Sequence, residues 1–320
     1  MTQTSKAPRS TRRFALGAAL GLVAALSLSA CSGSDPLAPE TPQASGSALD
    51  RPLVVGSADF PESKIIAEIY AGALEGAGID ATTKPGIGAR EAYVGAVKDG
   101  SADIVPDYSG NLLLYFNPDA TAVSAGDITE ALKDAVPEGL GVLQASKAED
   151  KDSLVVTAAT AEKYDLKSIT DLAKVCDQLV LGAPPEFKER AYGLPGLKST
   201  YDCTPKSFEP IADGGGPVTV KALINNDIQV ADIFTTSPAI KDNGLVVLED
   251  PKNNFIAQQV LPLVNTGVVS QQAAEVLNKV SSELATEDLI ELNGYVSGDA
   301  KLDPADAAAD WLQEKGLDGK

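Results

Sequence analysis

The chain has 320 residues, 44 % of them apolar and 22 % charged, enough for two domains with sizeable cores. A formal charge of −19 excludes a nucleic-acid binder, which needs a basic footprint, and the absence of histidine removes the commonest metal ligand and general base. With no Gly-x-Ser-x-Gly elbow, no P-loop and no metal-ligand spacing, the sequence reads as a non-enzyme without cofactor or metal.

In chain order, Arg9, Arg12 and Arg13 precede an apolar stretch from Phe14 to Leu26, too short for a membrane span of about 20 residues. The stretch ends in Leu28-Ser29-Ala30-Cys31, and small residues before a cleavage point mark a signal peptide over residues 1–30. The Leu-Ser-Ala-Cys run resembles the lipobox of bacterial lipoproteins, which implies lipidation of Cys31 and anchoring on the extracytoplasmic face of the cell membrane. Residues 31–50 are rich in Ser, Pro, Gly and Ala and read as a flexible tether. In an oxidising compartment the two remaining cysteines, Cys176 and Cys203, are expected to pair.

The body alternates strand and helix. Leu53–Gly56 is a short apolar run that predicts a buried strand, and Pro61-Glu62 opens a helix carrying Ile65, Ile66, Ile69, Ala73 and Leu74 at helical spacing. A second helix is predicted over 89–98 and a strand over 102–105. The rhythm returns at Leu179–Gly182, with Pro184-Pro185-Glu186 opening a helix, and again at Ile228–Phe234. Strands separated by helices imply parallel sheets. Residues 271–316 read as mainly helical.

An internal repeat organises this body. Ala96-Val97, Gly100 and Ile104…Tyr108-Ser109 align with Ala222-Leu223, Asn226 and Val230…Phe234-Thr235, and Gly56 aligns with Gly182 at the same offset. Two α/β lobes then each present the C-terminal end of a strand, where open α/β sheets bind ligands. Leu154–Thr157 and Val260–Val264 bracket the second lobe and read as two crossover hinge strands. Lobe one spans 51–155 plus 262–320 and lobe two 156–261, with a cleft between them suited to clamping a small ligand.

Five segments occur in order: GSADFPES at 56–63, PDYSGN at 106–111, LGAPPEFKER at 181–190, YGLPGLKSTY at 192–201 and VADIFTTSPAI at 230–240. Together they resemble the substrate-binding lipoproteins of ABC importers for glycine betaine, choline, carnitine and related osmoprotectants. The resemblance implies an α/β, type II periplasmic-binding-protein fold, a monomer that delivers a small solute to an ABC permease in the membrane. It implies that Tyr108 and Phe234 are aromatic walls for a quaternary ammonium, whose lack of donors leaves cation–π contact as its main means of recognition. It implies that Asn111, where Thr is usual, and Arg190 meet a solute carboxylate, with Ser57, Asp59, Ser109, Thr235, Thr236 and Gln258 completing the site.

Several of these residues have a second reading. Arg190 suits a surface pair with Glu186 or Glu189, Asp59 and Asp107 suit caps or hinge ties, and Ser57, Thr235 and Thr236 stand where hydroxyls cap helices. Asp213-Gly214-Gly215-Gly216-Pro217 suits a tight turn before a helix better than an anion nest. The sequence also departs from the family: Ala58 stands where some members have Lys, Ser153 near the place of one aromatic, and Gln258 at the place of another. Phe60, Tyr93, Tyr192 and Phe255 are candidates to replace the missing rings, and the alternative solutes are an amino acid, a polyamine or an aromatic compound.

Overall fold

The computed structural model describes residues 51–297 and 301–320; the expected signal peptide, Cys31 and the tether lie outside them. The first part runs β1 (Leu53–Ala58), α1 (Pro61–Gly76), β2 (Ala81–Gly88), α2 (Arg90–Asp99), β3 (Ile104–Tyr108), α3 (Ser109–Phe116), α4 (Ala125–Ala135) and β4 (Leu140–Val142). Next come β5 (Leu154–Thr157), α5 (Ala158–Tyr164), α6 (Ile169–Ala173), β6 (Val180–Ala183), α7 (Leu194–Tyr201), β7 (Ser207–Pro210), α8 (Pro217–Ile224), β8 (Val230–Asp232), α9 (Pro238–Asp242) and β9 (Leu245–Val247). The chain ends with β10 (Val260–Asn265), α10 (Gln271–Glu283), α11 (Thr286–Ser297) and α12 (Pro304–Lys315).

The strands form two five-stranded sheets, ordered β2-β1-β3-β10-β4 and β7-β6-β8-β5-β9. The internal repeat is this topology: adding 126 to the first residues of β1, β2, β3 and α2 gives those of β6, β7, β8 and α8 to within one residue. The expectation of parallel sheets is corrected in part. β1 is parallel to β2 and β3, and β6 to β7 and β8, but β10 and β5 enter antiparallel. Each antiparallel strand begins where the chain arrives from the other sheet, so no helical crossover sets its direction.

Helices cover both faces of each sheet, giving three layers per lobe. In α1, Pro61 sits in the first turn and Ile65, Ile66, Ile69 and Leu74 are fully buried against the first sheet, α10 and α12. Burying each such side chain contributes about 1.5–3 kcal/mol. The second lobe holds its own core around Leu154, Leu181, Phe187, Leu197 and Val230, with Cys176 and Cys203 joined in a buried disulfide at its edge. Phe255 packs there against Phe187 and Tyr192.

Two glycines show why the repeat was readable. A Cβ at Gly56 would lie 2.6 Å from Ile87 Cδ1, and one at Gly182 would lie 2.5 Å from Ile228 Cδ1. Both strands are crowded at the same point by an isoleucine, Ile87 of β2 and Ile228 of the turn before β8. The helix expected at Pro184-Pro185-Glu186 is only a 3₁₀ turn over Pro185–Lys188. The chain doubles back at Gly193, where a Cβ would sit 1.8 Å from the Phe187 carbonyl oxygen, and the α-helix starts afterwards at Leu194.

The chain passes between the sheets over 143–153 and 248–259. These crossings run side by side: Glu149 bridges Gln259, Asp150 N donates to the Gln258 carbonyl at 3.1 Å, and Ser146 N to the Val260 carbonyl at 2.8 Å. Among the described residues, no helix is long and apolar enough to cross a membrane.

Candidate functional site

A cavity of about 230 Å³ opens between the strand ends of the two sheets. The first lobe supplies Asp59 and Phe60 from the β1–α1 turn, Arg90 and Tyr93 from α2, and Tyr108 and Asn111 from the β3–α3 junction. The second supplies Glu186, Arg190 and Tyr192 from the segment after β6, Gly214, and Phe234 after β8. Asp150 and Asp152 reach it from the first crossing segment.

The aromatic walls meet. Phe60 stacks on Tyr108 with centroids 6.2 Å apart and meets Phe234 edge-on at 5.4 Å. Tyr93 and Tyr192, both buried, bring the rings lining the cavity to five. Phe255, also a candidate, belongs instead to the core of the second lobe.

Tyr108 is held by its hydroxyl, which donates to Glu62 Oε1 at 2.6 Å, and by its backbone N–H, which donates to Asp107 Oδ1 at 2.7 Å. Burial, then the charges of Glu62 and Asp150, push the Tyr108 phenol well above its ordinary value, so the hydroxyl stays a donor. Asp107 also receives Arg90, through Nε at 3.1 Å and Nη2 at 2.8 Å. This buried ion pair makes Asp107 a tie behind the wall. Asp59 lies at the exposed rim and pairs with Lys64 at 2.8 Å.

Arg190 is mostly shielded. Its Nη2 donates to Glu91 Oε2 at 3.0 Å, so its ionic partner comes from the opposite lobe and is neither Glu186 nor Glu189. Its buried Nε has no hydrogen-bond acceptor among the described residues. The guanidinium is therefore held at the cavity edge with a donor to spare.

Asn111 is committed in several directions. Its Nδ2 donates to Asp152 Oδ2 at 2.8 Å, its backbone N–H to Gln258 Oε1 at 2.9 Å, and its Oδ1 accepts from Gln258 Nε2. Gln258 thus lies behind Asn111, buried and outside the cavity lining. Ser57 also stands behind the wall, accepting from Gly86 N at 2.9 Å, and Ser109 accepts from Gln259 N at 3.0 Å. Thr235 Oγ1 accepts from Lys151 N at 2.9 Å and donates to Asp150 at 3.2 Å, while Thr236 is buried against Glu62. Of the ten residues expected to bind solute, Asp59, Tyr108, Asn111, Arg190 and Phe234 line the cavity. Ser57, Ser109, Thr235, Thr236 and Gln258 form its support.

Sequence reasoning missed the acidic groups. Asp150, Asp152 and Asp232 are buried close together, and both carboxyl oxygens of Asp232 are without a donor among the described residues. Burial chiefly, reinforced at Asp150 by Glu62 and at Asp232 by Asp152 and Asp150, raises all three carboxyls above the usual range. Nothing in the local sequence marks these residues; their only signal is position, since Asp150 and Asp152 immediately precede a crossover strand. The turn Asp213–Pro217 is filled by its own residue: Asp213 Oδ2 accepts from Val218 N at 2.7 Å and Thr219 N at 3.2 Å, capping α8 rather than leaving an anion nest.

Residues 51–314 match the family described as the substrate-binding domain of ABC-type glycine betaine transport systems. The glycine betaine-binding protein YehZ of Escherichia coli (strain K12) is 29 % identical over 278 residues, covering 83 % of this chain and 91 % of that one. An ergothioneine transport permease/ergothioneine binding protein, EgtU of Helicobacter pylori (strain G27), is 26 % identical over 84 % of this chain and 48 % of its own. A solved glycine betaine/carnitine/choline ABC transporter structure superposes with a TM-score of 0.65 at 22 % identity, over 83 % of this chain and 99 % of that chain. The likeness of fold extends to the two mixed sheets of type II periplasmic binding proteins.

Proposed function

The chain belongs to the substrate-binding domain family of ABC-type glycine betaine transport systems, and from that premise we propose how it holds its solute. It is the extracytoplasmic, non-enzymatic binding component of an importer for glycine betaine-, choline- or carnitine-type compounds. The solute's quaternary ammonium head rests against Tyr108, Phe60 and Phe234. The positive charge of that head faces the acidic groups Asp150 and Asp152, and a carboxylate tail, where present, turns towards the Arg190 guanidinium.

The observation that carries this reading is the junction of three aromatic rings from both lobes around one cavity. A quaternary ammonium offers no hydrogen-bond donor, so ring faces are its natural partners, each worth roughly 0.5–2 kcal/mol depending on desolvation. A polyamine or free amino acid can also make cation–π contact, but its N–H donors need acceptors that ring faces do not supply.

In this reading the lobes part at the crossing segments, with β5 in the second lobe and β10 in the first, so residues 51–153 with 260–320 form one lobe and 154–259 the other, in place of the expected bounds at 155 and 262. They hinge where Asp150 runs beside Gln258, and the closed form docks on the permease. Solute shifts the equilibrium by its differential affinity for the closed form. Cys31 carries the lipid that holds the protein at the membrane.

A thermal-shift screen of residues 51–320 tests the proposal with glycine betaine, choline, carnitine, ergothioneine, proline, putrescine and a plant phenolic. Ligand at about 100 Kd stabilises the folded state by about 2.7 kcal/mol. Stabilisation by a quaternary ammonium that is lost in Tyr108→Ala is expected. Stabilisation by proline or putrescine alone would overturn the solute named here and keep the binding role.

A further inference from the structure

At the back of the aromatic wall, Glu62 receives donors from three elements. Tyr108 Oη of β3 donates to Oε1 at 2.6 Å, Thr236 Oγ1 of the β8–α9 turn to Oε2 at 2.6 Å, and Asn293 Nδ2 of α11 to Oε2 at 2.6 Å. The carboxylate is 4 % exposed, and no cation pairs with it among the described residues. Neither Glu62 nor Thr236 lines the solute cavity.

Two of these donors, Tyr108 and Asn293, belong to the first lobe, as Glu62 does. Thr236 belongs to the second. It is tied to the crossing segment by its own backbone N–H, which donates to Asp150 Oδ1 at 3.0 Å. A rigid-body opening of the lobes would carry the Thr236 hydroxyl away from Glu62 while Tyr108 stayed attached.

We propose that Glu62 is a positioning residue that latches the lobes: one carboxylate fixes the ring of Tyr108 for the solute and clasps Thr236 across the cleft. Wall orientation and closure are then set by the same group. This rests on Tyr108 being a solute wall, as proposed above, for its effect on affinity; the latch itself does not.

The chemistry explains why a carboxylate stands here. Three donors converge, and an ionised carboxylate is acceptor-only. Glutamine would offer one acceptor oxygen, its N–H₂ would either face the Asn293 amide or require a hydroxyl to turn and accept, and every hydrogen bond that remained would lose its charge assistance. Hydrogen bonds to charged groups are among the stronger ones, and the loss of one corresponds to roughly a tenfold change in an equilibrium.

The test compares wild type with Thr236→Val and Glu62→Gln. Spin labels at cysteines replacing Glu130 and Lys174, both exposed and one in each lobe, report interlobe distance without ligand. Titration calorimetry and stopped-flow dissociation with glycine betaine and choline report affinity. The latch predicts longer or broader distances in both variants, and about tenfold faster dissociation in Thr236→Val. It also predicts a larger loss of affinity in Glu62→Gln, and a double variant that opens less than the sum of the two, with the remainder from Asn293 Nδ2, which also donates to Thr236 Oγ1 at 3.1 Å. Thr236→Val keeps side-chain shape, so it remains informative if Glu62→Gln folds poorly. Wild-type distances in Thr236→Val, or fully additive effects in the double variant, overturn the latch. If wild type binds neither probe, the quaternary ammonium reading fails, and the ligand-free distances still decide the latch.

Discussion

Asp232→Asn is the sharpest probe of the acidic floor. Asp232 is 1 % exposed in β8, its two oxygens lack donors among the described residues, and burial followed by the neighbouring Asp152 and Asp150 holds its carboxyl well above the ordinary value. In the unfolded chain an aspartate ionises near 3.9. The folded protein therefore binds a proton that the unfolded chain has released. A raised carboxyl contributes stability fully present below the unfolded value, and it is lost as pH rises towards the folded one. Over that window each such proton lowers unfolding free energy by about 1.4 kcal/mol per pH unit. The substitution removes one proton from this balance and offers Asp152 an amide donor. The variant should lose stability less steeply above pH 4, by up to about 1.4 kcal/mol per unit. The groups facing the cluster, Glu62, Arg90, Arg190 and Tyr192, are unchanged in the comparison. So is Asp171, whose pKa is lowered to about 2 by Lys174 and Ser168 and which acts in the opposite sense. Urea unfolding at pH 5, 6 and 7 and constant ionic strength measures the slope. A wild-type slope in Asp232→Asn would refute the reasoning.

Arg190→Gln should weaken carnitine and glycine betaine by about tenfold and choline by little, since only the first two carry a carboxylate; calorimetry separates them. Cys176→Ser with Cys203→Ser should cost about 3.5 kcal/mol in the chain-entropy account for a separation of 27 residues, read as a lower Tm. Gly56→Ala should destabilise more than Gly182→Ala, because its Cβ meets Ile87, Val105 and Ala102 within 3.2 Å while Gly182 is pressed mainly by the flexible end of Ile228. Overpacking of this kind costs about 1–3 kcal/mol, which thermal melts resolve.

Much of the fold was legible because buried strands are apolar runs. Leu53–Val55 and Val260–Val264 announce themselves, and the isoleucines of α1 repeat at helical spacing. The edge strands were not legible. Ala81–Gly88 and Ser207–Pro210 are half exposed, carry Lys84, Pro85 and Pro210, and follow no alternation, so only their neighbours define them. In the site, Tyr108, Phe234 and Arg190 could be found through the repeat and the five ordered segments. Asp150 and Asp152 could not, since an isolated acidic residue in a chain with 45 of them reads as solvated surface, and Glu62 and Asp232 lie inside two of those segments but read there as a helix start and a strand residue. Their role depends on burial, which three-dimensional packing alone determines. Gln258 marks the opposite error: position suggested solute contact, but its amide is spent holding Asn111.

The repeat also explains which features of the site are shared between lobes and which are not. Tyr108 and Phe234 are equivalent positions, and both present a ring to the cavity. Their polar surroundings have no such equivalence: the repeat carries Asp107 to Ile233 and Arg90 to Gly216, so the ion pair behind Tyr108 has no counterpart behind Phe234. A quaternary ammonium head is nearly spherical and makes no directional bond, so two related lobes can each offer it the same kind of wall. A carboxylate tail is directional and needs donors from one side only. On the reading proposed here, the aromatic equivalence survived because the cation asks the same of both lobes. The repeat carries Arg190 back to Lys64, which lies outside the cavity lining and is paired with Asp59. Arg190 alone of that pair reaches the cavity, and on the same proposed reading it marks the side where the solute's tail lies.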